Sequence, residues 1–300
     1  MAVTEIKQYF RPANPAEVVE LLGRYGAAAR ILGGGTFLHG VAARGLGLHL
    51  DALIDLQGAG LSYVRQEQDA LVMGAATTMA TLAAANPLQT APFAGIADSL
   101  RYPPAQIRNL ATVGGCLAAA SPLFDLPVAL LALDASVHVL GPRGKRAIPL
   151  HEFFLDYFES ALQPDEFLTE VRIPRLPPKS ASAFLKMETN ANDLAVLNVA
   201  VRLTLVDPGT CREARVVLGG GVGKTPVRAL SSEKVLAGKQ ITAGLVAEAA
   251  EKVTSDVHPV SDHRASAKYR SALAKVLVRR ALGQALERLG IERGPAQEKR

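Results

Sequence analysis

The sequence predicts a mixed α+β protein of successive lobes, and three observations predict it. Strand-like runs such as Ala70-Leu71-Val72-Met73 and Ser136-Val137-His138-Val139-Leu140 alternate with segments of helical periodicity. Two glycine-rich stretches, Gly33-Gly34-Gly35-Thr36 and Thr112-Val113-Gly114-Gly115, each follow an apolar lead. Finally, 300 residues at 49% hydrophobic and 20% charged can bury a large core and allow two or three domains.

The first lobe runs from Met1 to about Leu56. Asn14 and Pro15 open a helix in which Val18, Leu21, Leu22 and Tyr25 recur on one face, and Gly26 closes it. Ala28 to Leu32 reads as a short strand that delivers the first glycine stretch. The second lobe, about 57–175, mixes the two strands above with an alanine-rich helix around Met79 to Ala85, and it carries the second glycine stretch. Together these lobes make one ligand-binding domain, 1–175. Arg175 to Ser182, with Pro177-Pro178, reads as a linker to a C-terminal domain, 176–290. There, strands at Ala195 to Val206 and Ala214 to Leu218 are joined by a turn at Asp207-Pro208-Gly209. Helices follow at about Thr242 to Val253 and Ser266 to Leu289, the latter with Tyr269, Leu273, Val276 and Leu277 on one face. Residues 291–300 read as a flexible tail.

Glycine removes the Cβ that would keep an anion away from the main chain, so consecutive N–H groups can converge on phosphate oxygens. Both stretches are expected to leave amides pointing outward, and two such loops suit a diphosphate. The first lacks the Gly-Lys-Ser/Thr ending of a P-loop, and no GxGxxG opens a helix after a strand. Neither GxSxG nor HExxH occurs, which leaves hydrolase and zinc-protease chemistry without footing. Cys116 and Cys211 form no CxxC pair, too few thiols for a cluster or structural zinc, and His258 with His263 lack a third ligand. The formal charge of +5 is thinly spread and gives little support for nucleic-acid binding. The longest apolar run, Val128 to Leu133, is far too short to span a bilayer, and Met1 to Pro12 holds no signal-peptide core. A cytoplasmic protein is expected.

After the second glycine stretch come Cys116-Leu117-Ala118-Ala119-Ala120-Ser121-Pro122-Leu123-Phe124-Asp125-Leu126-Pro127 and then Val128 to Ala135. From Ile107 to Ala135 the chain resembles the FAD-binding subunits of the molybdenum hydroxylases, the xanthine dehydrogenase and carbon monoxide dehydrogenase group. Leu32 to Leu38 is similar to that family's first loop. Further matches at Leu53-Ile54-Asp55-Leu56, Leu168 to Pro174, Phe184-Leu185-Lys186, Asp193 to Val196 and Lys268-Tyr269-Arg270 spread the resemblance over nearly the whole chain.

The resemblance implies a vanillyl-alcohol oxidase-type (PCMH-type) FAD-binding fold, two α+β lobes plus a C-terminal lobe of a three-stranded sheet and helices. It implies FAD in this chain, with the molybdenum cofactor and [2Fe-2S] clusters in a large and a small partner subunit, assembled as a dimer of heterotrimers. Electrons would pass from the clusters through FAD to NAD, oxygen, a quinone or another acceptor. No catalytic acid or base is expected here, since the flavin carries the chemistry. A stand-alone FAD-dependent oxidase or dehydrogenase and a non-redox nucleotide-binding scaffold are the alternatives.

Carried over residue by residue, the resemblance puts Ile31, Leu32, Gly33, Gly34, Gly35, Thr36 and Phe37 on the cofactor, with Thr112, Gly114, Gly115, Cys116 and Ser121 from the second loop. Asp125 would accept from ribityl or ribose hydroxyls, or cap a helix beginning near Leu126. Leu168 would pack on the isoalloxazine or simply stand in the core. Tyr102 would stack on adenine. Lys186 would lie near the flavin ring, where a cation stabilises the anionic reduced form, or be a solvated strand lysine. Two residues depart from the pattern: Cys116 stands at an asparagine position and Phe37 at a polar one. His39, beside the first loop, is read as an exposed loop histidine, with covalent flavin attachment as the sharper option.

Overall fold

In a computed structural model that describes residues 5–44, 49–191, 193–206 and 209–291, the chain begins with strand β1 (Glu5–Phe10), helix α1 (Pro15–Tyr25), β2 (Ala29–Leu32), α2 (Thr36–Ala43) and β3 (His49–Asp55). Then come β4 (Val64–Gln66), β5 (Ala70–Gly74), α3 (Met79–Ala83), α4 (Ala94–Ser99), α5 (Ala105–Leu110), α6 (Val113–Ala118) and α7 (Asp125–Leu131). They lead to β6 (Ser136–Gly141), β7 (Gly144–Pro149), α8 (Leu150–Phe153), β8 (Phe154–Asp156), β9 (Glu159–Ser160) and β10 (Phe167–Pro174). The rest is β11 (Ser180–Met187), β12 (Leu197–Leu205), β13 (Cys211–Gly219), β14 (Val227–Arg228), α9 (Leu230–Leu236), α10 (Ala243–Lys252) and α11 (Ala267–Arg288).

Local chemistry sets several boundaries. Asn14 Oδ1 accepts from the Glu17 amide at 3.1 Å while Glu17 Oε2 accepts from the Ala13 amide at 2.7 Å, a reciprocal cap that fixes the start of α1. Gly26, at φ 51°, ends it in a conformation that residues with a β-carbon avoid. At α10 and α11 the cap is one-way, the Thr242 and Ser266 hydroxyls accepting from the Leu245 and Tyr269 amides.

The chain divides into two compact units. Unit 1 comprises Met1–Ala85, Pro103–Ser121 and Asp134–Pro174. It contains the parallel sheet β1-β3-β2, the antiparallel sheet β4-β5-β10-β6-β7 and the β8-β9 ribbon. Val18 and Leu22 of α1 bury themselves with Ala52 and Ile54 of β3 and with Phe167, one core shared by helix and strands.

Unit 2 comprises Asn86–Tyr102, Pro122–Leu133 and Arg175–Arg300. Its sheet runs β11-β12-β13-β14; the first three are long antiparallel strands and β14 is only Val227–Arg228. Every residue of β12 is buried, and α11 lays Leu273, Ala274, Leu277, Val278, Ala281 and Leu282 into the same core. Two segments from within 57–175, those bearing α4 and α7, belong to this unit. Helix α4 is tied in by Ser182 Oγ, which accepts from the Gly95 amide at 2.9 Å and donates to the Pro92 carbonyl at 2.7 Å.

Two local expectations shift. The linker is shorter than Arg175 to Ser182, because Ser180 already pairs with Thr204 in β11. The buried face of α11 holds Leu273 and Leu277 as expected but not Tyr269, which is 48% exposed while Arg270 takes the core position with no exposure. Arg270 is tolerated there because its guanidinium donates to the carbonyls of Val196, Val260 and Ala265 and to Asp262, leaving no buried donor unpaired. The Asp207-Pro208 turn and the tail from residue 292 lie outside the described residues.

Candidate functional site

In unit 1, β2 ends at Leu32, paired with Asp55, and the chain turns through Gly33, Gly34 and Gly35 into α2. Gly35 has φ 71°, and the next residue, Thr36, is the first of the helix. Among the described residues the amides of Gly34, Gly35 and Thr36 make no hydrogen bond, and all three residues are only part-buried. Three successive donors therefore face outward at a helix N-terminus, where the helix dipole also favours negative charge. His39 is exposed but lies inside α2, not in a loop, and its amide donates to the Gly35 carbonyl at 2.8 Å.

The second stretch is built differently from the expectation. Its amides are consumed internally: Val113 N donates to Thr77 O and Gly114 N to Ala75 O, both at 2.9 Å. Gly115 N donates to Thr112 Oγ1 at 3.1 Å and Cys116 N to Thr112 O at 2.9 Å. Thr112 is thus the N-cap of α6, and the loop is stitched to residues 75–77 before any ligand could claim it. A β-carbon on Gly114 would meet Ala75 Cβ at 2.7 Å, and one on Gly34 would meet the Leu110 carbonyl oxygen at 1.6 Å, so both stretches are glycine because backbones touch there.

Other residues of unit 1 hold the positions around these loops. Ile31 and Leu32 are part-buried in β2. Phe37, part-buried on α2, stacks against Phe158 with ring centroids 6.0 Å apart. Cys116 and Ser121 are buried, and Leu168 is 4% exposed, paired with Val139 in the sheet as a core leucine would be.

In unit 2 a second group of the expected residues comes together. Lys186 is no solvated strand lysine: its side chain is 3% exposed and Nζ donates to Asp125 Oδ2 at 3.0 Å and to the Asp193 carbonyl at 2.6 Å. Asp125 Oδ1 accepts from Asn198 Nδ2 at 2.7 Å. The Tyr102 hydroxyl accepts from the Lys186 amide at 3.1 Å, its ring lies 5.1 Å from Lys186 Nζ, and its edge meets Phe184. Asp125 is not a cap. Helix α7 starts at Asp125 itself, after Phe124, and the carboxylate turns instead to the lysine and the amide. Burial pushes the Asp125 carboxyl up from its ordinary value, opposed by Lys186 and Asn198. Burial likewise raises the Tyr102 phenol.

Two members of this cluster have no counterpart among the sequence-based candidates, Asn198 and Glu188, the latter 3.1 Å from Lys186 Nζ. The available signals were an amide in the otherwise apolar run Leu197 to Val201 and an acid two residues beyond Lys186, hence on its side of an extended chain. Asn198 Oδ1 is buried and has no hydrogen-bond partner, so its fixed commitment is the donor side, toward Asp125 and the Phe124 carbonyl. Among the described residues no group of acidic, histidine and cysteine side chains could hold a metal ion.

Comparison with known proteins places both parts of the chain. A family profile described as FAD binding domain in molybdopterin dehydrogenase matches residues 4–176, and one described as CO dehydrogenase flavoprotein C-terminal domain matches residues 182–285. The 6-hydroxypseudooxynicotine dehydrogenase complex subunit alpha of Paenarthrobacter nicotinovorans is 35% identical over 79% of this chain and 80% of its own length. The carbon monoxide dehydrogenase medium chain of Afipia carboxidovorans is 32% identical over 93% of this chain and 96% of its own. Among solved structures, carbon monoxide dehydrogenase from Hydrogenophaga pseudoflava superposes with a TM-score of 0.89 at 30% identity, covering 95% of this chain and 99% of that one. The mixed helix-and-sheet architecture is accordingly that of the PCMH-type FAD-binding fold. This chain belongs to the FAD-binding medium subunits of the molybdenum hydroxylases, and is an oxidoreductase subunit.

Proposed function

We propose that this chain holds FAD noncovalently and carries electrons from the [2Fe-2S] clusters of a small partner subunit to an external acceptor such as NAD, oxygen or a quinone. The molybdenum cofactor belongs to a large partner subunit, the three chains assemble as a dimer of heterotrimers, and the complex works in the cytoplasm. Among the described residues no helix is long and apolar enough to cross a membrane. The observation that carries the reading is the row of unpaired amides at Gly34, Gly35 and Thr36, at the start of α2.

The residues present fit the cofactor. The free donors of the loop, the Thr36 hydroxyl and the helix dipole all favour a phosphate. Bound FAD supplies electron and hydride transfer that no side chain of the site provides. The chain's own part is binding and electrostatics. Gly34 keeps the loop against α5 and Gly33 against Thr112, and Thr112, Gly114 and Gly115 brace it from the start of α6. Ile31, Leu32, Phe37, Cys116, Ser121 and Leu168 supply apolar or small surroundings. Asp125, once offered ribose or ribityl hydroxyls, can accept from them, while Tyr102 and Lys186 provide a ring and a cation.

The test is anaerobic addition of the large subunit's substrate to the copurified complex and to this chain alone. The flavin should bleach in the complex, stay oxidised in the isolated chain, and recolour on adding an acceptor. Rapid bleaching of the isolated chain by the same substrate would instead make it a stand-alone dehydrogenase.

A further inference from the structure

Lys186 Nζ donates to Asp125 Oδ2 at 3.0 Å and to the Asp193 carbonyl at 2.6 Å, while Glu188 Oε2, buried and without a hydrogen-bond partner, lies 3.1 Å away as an ion-pair contact. One ammonium thus faces two carboxylates. Asp125 is already satisfied by Lys186 and Asn198, and Lys186 is already anchored by Asp125 and the Asp193 carbonyl. Glu188 is therefore unnecessary for placing the lysine. What it adds is a negative charge beside a side chain that is 3% exposed, where Coulomb interactions are far less screened than in water. The geometry makes this cheap to build, because β11 ends at Met187 and alternate residues of an extended chain point the same way.

We propose that Glu188 is a potential-tuning residue, which offsets the charge of Lys186 and so holds down the reduction potential of the flavin bound to this chain. The inference rests on the reading that Lys186 serves the flavin. Uptake of two electrons and one proton, the electrons from dithionite in a titration or from the iron–sulfur partner in the complex, leaves the flavin with one more negative charge. A lysine nearby favours that charge, and a second carboxylate on the lysine disfavours it. The consequence is directional: the flavin accepts electrons less readily and passes them on more readily.

The experiment is a reductive titration of the purified, flavin-loaded complex against a reference dye, comparing wild type with Glu188→Gln, Glu188→Asp and Lys186→Met. Glu188→Gln keeps the shape and removes the charge, so the midpoint potential should rise. Glu188→Asp keeps the charge and should stay near wild type, which separates electrostatics from packing, and Lys186→Met should lower the potential. If Lys186→Met lowers the potential while Glu188→Gln leaves it unchanged or lower, the tuning role of Glu188 is wrong and the placement of Lys186 stands. If neither variant moves it, Lys186 does not serve the flavin and both ideas fall.

Discussion

Gly34 approaches Leu110 so closely that a β-carbon built on it would lie 1.6 Å from the Leu110 carbonyl oxygen. The obstacle is backbone, which cannot swing aside as a side-chain tip would. The first loop is thereby fixed on the residues that precede α6, and its free amides inherit that rigidity.

Gly34→Ala should accordingly push the two segments apart and cost about 1–3 kcal/mol, the usual range for overpacking, with loss of bound FAD. Gly40, only six residues on and inside α2, has nothing within 4 Å of its would-be β-carbon. Gly40→Ala should raise stability by up to about 1 kcal/mol through helix propensity and leave FAD content unchanged. Thermal midpoints and flavin-to-protein ratios of the two variants check the contrast; equal behaviour would mean that general glycine flexibility, not the Leu110 contact, matters.

The inserted helix α4 is held by an ion pair with its own signature. Arg288 reaches Asp98 through two parallel bonds of 2.7 and 2.8 Å and also donates to the Ser182 carbonyl, while Asp98 accepts from the Phe184 amide. The Asp98 side chain is 5% exposed. Asp98→Ala strands a guanidinium and should cost about 3–5 kcal/mol, and Arg288→Lys, which keeps the charge but loses the fork, should cost less. Denaturant unfolding ranks the two, and the reverse order would refute the bidentate account.

Alkaline stability should depend on Tyr63. Burial first, and then donation to Glu170 at 2.7 Å, pushes its phenol up to about 12 from the ordinary value of 10.0. An unfolded chain therefore loses this proton near pH 10 while the folded one keeps it, so stability falls as pH rises between about 10 and 12. Tyr63→Phe should flatten that part of the pH profile of the melting temperature. An unchanged profile would show that other groups carry the alkaline transition.

How much of this was legible in sequence follows the range of the forces involved. The start of α1 was readable because Asn14, Pro15 and Glu17 act within one turn, and the caps at Thr242 and Ser266 are equally local. The two glycine stretches look alike in sequence, yet only the first keeps free amides. The difference lies in Ala75 and Thr77, whose carbonyls take the amides of the second, and nothing near Gly114 announces that pairing. Arg270 reads as a surface residue until the carbonyls of Val196, Val260 and Ala265 converge on it. Asn198 escaped notice because its partner Asp125 is 73 residues away.

The most direct test of the account is the identity and attachment of the flavin. Acid precipitation of the purified complex should release yellow FAD into the supernatant, in a one-to-one ratio with this chain, and phosphodiesterase should convert it to FMN. The same treatment of Gly34→Ala should yield little or none. A folded, assembled chain that carries no flavin, or colour that stays in the protein pellet and points to a covalent link such as one through His39, would contradict it.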